Sequence, residues 1–164
     1  MRKTPFLAAA AGFLILAAPL RGTEGKQDLV RWRTLPAGEA EARKTGKPVL
    51  YFFTADWCGP CHILIENVFS EKATAQRIDR EFVPVVLQDT SREGGTIPPG
   101  MIRLAQKFEI RGFPTLVVAR PEGKKGVKLA GWIGREQTVD WLGYATGRLV
   151  EMEKGAPAPG GGRP

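Results

Sequence analysis

Metal-binding side chains are scarce in this chain. Its 164 residues include two cysteines and one histidine. A structural zinc site takes about four such ligands, so the set falls short, and Cys61 and His62 are sequence neighbours that cannot readily converge from one helix. Lys and Arg outnumber Asp and Glu by 24 to 17. Part of that excess belongs to the first 22 residues and much of the rest lies around Arg120 to Lys128, and no basic stripe is interleaved with aromatics, which argues against a nucleic-acid binder. No internal repeat is visible. The longest uncharged run, Thr4 to Leu20, is shorter than the roughly 20 apolar residues that span a bilayer.

That run follows Arg2 and Lys3, is dominated by Ala, Leu, Ile and Phe, and ends at Arg21. It reads as an export signal over residues 1–22, with an uncleaved amino-terminal anchor as the alternative. No cysteine follows it, so a lipid-modified amino terminus is excluded. Residues 23–150 are long enough for one domain with its own core and too short for two. Residues 151–164 are expected to be a disordered tail, because from Gly155 onward Gly and Pro dominate and little apolar surface is left to offset the entropy of ordering.

Within the domain, Thr34 to Thr45 has a helix pattern: Pro36 stands early, Arg43 and Lys44 late, and Gly46 then Pro48 end it. Val49 to Thr54 shows no polar alternation, as expected of a strand covered on both faces. Pro60 to Phe69 reads as a helix burying Ile63, Leu64, Val68 and Phe69, and Ser70 as the cap of a following helix. Val83 to Leu87 forms a second buried strand. Met101 to Phe108 forms another helix, and Thr115 to Ala119 and Val127 to Ala130 flank a turn at Pro121 to Lys124. A last helix from Arg135 to about Val150 turns Val139, Leu142, Thr146 and Leu149 inward. The order predicts an α/β fold: a mixed sheet with helices on both faces.

Both cysteines lie in Trp57-Cys58-Gly59-Pro60-Cys61, at the junction of the first strand and the helix after it. Two thiols so spaced can close a ring and store two electrons without a cofactor. Cys58, at the helix start, is the expected nucleophile, since unpaired N–H groups and the helix dipole stabilise a thiolate there. Cys61, one turn inward, is the expected resolving thiol.

Together with Gly112-Phe113-Pro114-Thr115 and Gly131, this motif resembles the thioredoxin family over about Leu29 to Val150. Gly46-Lys47-Pro48-Val49, Ala55 to Cys58 and Val68-Phe69-Ser70 are similar to the carboxyl-terminal periplasmic domain of the transmembrane thiol:disulfide interchange reductase. The resemblance implies a thioredoxin fold and an exported, monomeric oxidoreductase acting on disulfide-bearing exported proteins and recharged by a membrane electron carrier. It implies a cis peptide at Pro114 that exposes the backbone of Phe113 to a substrate strand. It also implies substrate contacts at Trp57, Gly59, Pro60 and Gly131. Gly-Pro between the cysteines resembles reducing members; oxidation or isomerisation is the alternative direction.

Two departures stand out. Thioredoxins usually bury an aspartate six residues before the first cysteine, and this chain has Phe52 there. His62 and Glu66 are the candidate proton acceptors in its place, acting through water. Asp89 to Gly100 is longer than the usual connection; it either helps to select partners or is an inert surface insertion. A rival reading also comes from Cys58 to His62, which satisfies the c-type haem attachment pattern, with Met101 or Met152 opposite His62.

Overall fold

A computed structural model describes residues 26–155. The expected signal at 1–22 and the end of the chain from 156 lie outside the described residues. No described helix is long and apolar enough to cross a membrane.

Helix α1, Leu35–Thr45, starts after Thr34 with a proline in its first turn and ends where Gly46, at φ 70°, donates its N–H to the Ala42 carbonyl. Glycine suits this left-handed stop because it has no Cβ to clash. Strand β1, Val49–Ala55, is buried at all seven positions. Its inner place in the sheet explains this: β2, Val83–Asp89, pairs parallel to it on one side. Strand β3, Thr115–Ala119, pairs antiparallel on the other. Strand β4, Gly126–Ala130, then pairs antiparallel to β3, giving the order β2-β1-β3-β4.

Alternate β1 side chains feed two cores. Leu50 and Phe52 join Leu64, Val68, Ile78 and Leu142. Those residues come from α2 (Gly59–Leu64), its continuation to Phe69, α3 (Lys72–Glu81) and α5 (Arg135–Glu153). Val49, Tyr51 and Phe53 face the other way, with Ala42, Val85 and Leu104, under α1 and α4 (Pro99–Lys107). Helices thus cover both faces, as the element order implies.

Several details differ from the sequence reading. Beyond Leu64 the helix widens into a π turn, Ile65–Phe69, closed by the Ser70 N–H on the Ile65 carbonyl at 2.9 Å. The Ser70 hydroxyl donates to the Glu66 carbonyl at 2.5 Å, so it closes one helix rather than capping the next, and Glu71 takes the cap position of α3. Ile63 is exposed at 43%, not buried. Helix α5 runs to Glu153 and buries Thr138, Trp141, Leu142, Ala145 and Leu149, while Val139 and Thr146 are half-buried. Met152 packs on the core one turn past Leu149, so 151–153 belong to the domain and not to a tail.

The seat of α1 on β2 is tight. A Cβ on Gly38 would lie 2.2 Å from Val85 Cγ2, and a β-branched valine has little freedom to yield. Gly38→Ala is expected to cost about 1–3 kcal/mol of stability through overpacking. Urea unfolding checks this as a lower midpoint at an unchanged slope; an unchanged midpoint contradicts it.

Candidate active site

β1 ends at Ala55, and Asp56 and Trp57 form a turn that delivers Cys58 to the start of α2. Cys58 is the N-cap, with extended backbone, and a proline occupies the first turn, where a missing N–H costs no helical bond. The Cys58 N–H donates to the Ala55 carbonyl at 3.1 Å, and Cys61 and His62 donate back to the Cys58 carbonyl at 2.9 and 3.3 Å. Cys58 and Cys61 are joined in a disulfide with S–S 2.07 Å and Cα–Cα 5.2 Å. The Cys61 N–H also points at Cys58 Sγ, 3.2 Å away. After reduction that amide is already aimed at the atom bearing the thiolate charge.

Burial orders the two sulfurs as expected but narrows the approach. Cys61 is fully buried, while Cys58 keeps 4% of its surface. The disulfide ties its Sγ to a partner inside the core, and Trp57, 39% exposed, takes the surface place beside it. The Trp57 ring lies 5.8 Å from that of Phe113, and the Arg92 guanidinium sits over it at 3.7 Å. The neighbouring Asp56 carboxylate accepts from the Gln88 side-chain amide. Arg92 and Gln88 were not among the sequence candidates: each reaches the site through a contact between distant segments, which no local motif encodes.

The Phe113–Pro114 peptide is cis. The Pro114 carbonyl accepts from the Gly131 N–H at 2.8 Å, and the Gly112 carbonyl from the Thr115 hydroxyl at 2.8 Å. Gly131 stands at φ 81° with open space where a Cβ would be, so conformation, more than crowding, calls for glycine. Gly59 also borders open space. Trp132, beside Gly131, is half-buried and packs against the core. The structure therefore brings Trp57, Cys58, Phe113 and Pro114 into one constellation.

His62 and Glu66 both lie exposed on α2 and its continuation. In the place of the usual carboxylate, Phe52 is buried among rings, 5.5 Å from Trp32 and 5.2 Å from Phe69. Trp32 is held by its indole N–H, which donates to Asp28 at 2.7 Å. Burial pushes the Asp28 carboxyl up from its ordinary range, against the lowering effect of the hydrogen bonds from Val30 and Trp32. The haem reading loses its ligands. Met101 is buried in the core across the sheet from the sulfurs. Met152 sits with Arg120 and Lys124 at the β3–β4 turn, opposite the end of β1 that carries Cys58.

Phe52→Asp, which restores the family residue, is expected to destabilise the protein by about 3–5 kcal/mol from the lost ring alone, with more for a carboxyl buried among aromatics. Denaturant unfolding measures it; stability kept within about 1 kcal/mol would mean that the pocket already accommodates a polar group.

A thioredoxin-like domain family matches residues 35–146. The protein disulfide-isomerase erp38 of Neurospora crassa is 29% identical over 115 residues, which cover 70% of this chain and 29% of that protein. The thiol:disulfide interchange protein DsbD of Campylobacter jejuni is 27% identical over 97 residues, 58% of this chain and 16% of that protein. The chain thus spans less than a third of the length of either relative. The oxidised carboxyl-terminal domain of Neisseria meningitidis DsbD superposes with a TM-score of 0.53 at 21% identity, covering 67% of this chain and 90% of that domain, a likeness of fold. With a bonded Cys-Gly-Pro-Cys pair at the strand-to-helix junction and a cis proline before β3, the chain belongs to the thioredoxin-like domain family.

Proposed function

We propose that the protein reduces disulfides of exported proteins. The observation that carries this reading is the bonded pair itself, with the Cys61 amide trained on Cys58 Sγ. In the reduced enzyme the Cys58 thiolate attacks one sulfur of a client disulfide, forming a mixed disulfide and expelling the other client sulfur as a thiolate. Cys61, deprotonated, then attacks Cys58 Sγ. The Cys58–Cys61 bond re-forms, the client leaves with two thiols, and two electrons have passed to it. Phe113, before the cis bond, offers backbone to an extended client strand.

Gly59-Pro60 between the cysteines supports the reducing direction, by resemblance to reducing thioredoxins. Arg2, Lys3 and the apolar run to Leu20 support export. An exported compartment is oxidising, so each turnover needs recharging, and a membrane electron carrier that reduces Cys58–Cys61 is the partner this implies; the interchange protein among the relatives agrees with it. With Phe52 in the core, the Cys61 proton leaves towards solvent, and His62 and Glu66 stand as its acceptors through water.

The test of direction and location uses Cys61→Ser in the native host. Its Cys58 should accumulate mixed disulfides with exported proteins, Cys58→Ser should trap none, and the wild-type couple should have a potential near that of thioredoxin, about −270 mV. A value near about −120 mV would assign oxidation instead, and clients drawn from the cytosol would overturn export. For the proton, His62→Ala is expected to slow disulfide reduction with a changed pH profile, read by stopped flow; a profile superimposable on wild type removes the imidazole.

A further inference from the structure

The long connection after β2 folds back on the loop that carries the redox pair. We propose that Arg92, in that connection, is a positioning residue of the exchange reaction: it braces Trp57 next to Cys58 and brings a positive charge that favours the reduced pair. This rests on the thiol:disulfide exchange described above and gives the Asp89 to Gly100 segment a part in it.

Both residues that precede Cys58 are held from the same segment. The Arg92 guanidinium lies over the Trp57 ring at 3.7 Å, where a cation is attracted by the negative face of the indole. The Gln88 side-chain amide donates to the Asp56 carboxylate. Gln88 and Asp89 end β2 in register with Thr54 and Ala55 of β1, so the sheet supports the brace and the redox loop together. The segment that presents Arg92 is itself folded. The Asp89 carboxylate accepts from the Ser91 N–H at 2.9 Å, and the Thr90 carbonyl accepts from the Glu93 and Gly95 N–H groups at 3.2 and 3.0 Å. A Cβ on Gly95 would lie 2.8 Å from that carbonyl, so the turn closes around glycine.

Charge gives the brace its effect. Asp56 stands two residues before Cys58, and Asp89 pairs in register with Ala55, so a Cys58 thiolate forms at an end of the sheet that already carries two carboxylates. Hydrogen bonds from Ser91, aided by the Arg92 charge, hold the Asp89 carboxyl below its usual range. Glu109 and Arg111, which line the groove beside Trp57, bring one charge of each sign, and His62 and Glu66 lie exposed on α2 and its continuation. Arg92 is the cation fixed on the residue next to the nucleophile. A positive charge there favours the ionised thiol, and with it the reduced state.

The experiment measures the equilibrium of the Cys58 and Cys61 pair with glutathione in the wild type, Arg92→Gln, Arg92→Lys, Trp57→Ala and the double variant of Arg92→Gln with Trp57→Ala. Arg92 is exposed, and urea midpoints check that each variant is folded. Arg92→Gln should make the pair about threefold easier to oxidise, a potential about 14 mV more negative, the scale of one solvent-screened charge. It should also raise acrylamide quenching of the fluorescence that Trp57→Ala removes. Arg92→Lys should recover at least about half of the effect, since an ammonium also sits over an indole. Without Trp57, Arg92→Gln should change the equilibrium by less than about 1.3-fold, because the residue acts through the ring. A wild-type equilibrium in Arg92→Gln overturns the proposal, and so does a threefold effect that survives in the Trp57→Ala background. A pair that shows the expected shifts yet leaves disulfide-bonded test proteins unreduced supports the role of Arg92 and counts against the reductase reading alone.

Discussion

Burial of β1 on both faces is the constraint on which the site depends. A strand paired on both edges and covered by helices above and below has no freedom to slide, because a one-residue slip would exchange its two sets of core side chains. Leu50 and Phe52 would leave one core, and Val49, Tyr51 and Phe53 the other. With its register fixed against β2 and β3, the point at which β1 ends is fixed too, and Cys58 follows three residues later. Antiparallel β3 begins next to that same end, Thr115 opposite Phe53, so Pro114 enters the site from the neighbouring strand. Two sequence segments far apart are thereby positioned by one sheet.

The same burial explains why this part was readable in the sequence. A central strand in such a sheet must be apolar throughout, and Val49 to Phe53 is; Gly46 and Pro48 before it, and Pro60 after it, mark the adjoining helices. Features set by contacts between distant segments left no such local mark. Ser70 looks like a cap, but whether its N–H meets the fourth or the fifth preceding carbonyl is decided by how Val68 and Phe69, both fully buried, fit the core. The stripe of α5 was misplaced because a helix with Trp141, Leu142 and Ala145 together offers more than one apolar face, and the sheet chooses between them. Arg92 on Trp57 could not be seen, since a charged residue in a polar loop is most often just solvated.

Phe52 shows how packing and proton chemistry compete for one position. An aspartate there would be desolvated by Phe69 and Trp32, and burial of that kind disfavours the charged form. Here the position instead completes an aromatic cluster with rings 5.1 to 5.5 Å apart, a range in which aromatic pairs add to ordinary burial. The core gains cohesion, and the resolving step loses a fixed base inside the protein. His62 and Glu66, the acceptors proposed for the Cys61 proton, lie exposed on α2 and its continuation.

That division gives the narrow exposure of Cys58 its meaning. Thiol exchange requires three sulfurs in line, and holding reactants in such geometry is worth far more than raising their concentration. A widely exposed nucleophile would meet many disulfides, few of them aligned. Cys58 keeps 4% of its surface beside Trp57, whose ring lies against that of Phe113, and the cis peptide follows Phe113 directly. The long connection after β2 meets the redox loop at Trp57. Because it is tied to Trp57 by Arg92, a change in that connection reaches the neighbourhood of Cys58 through the tryptophan.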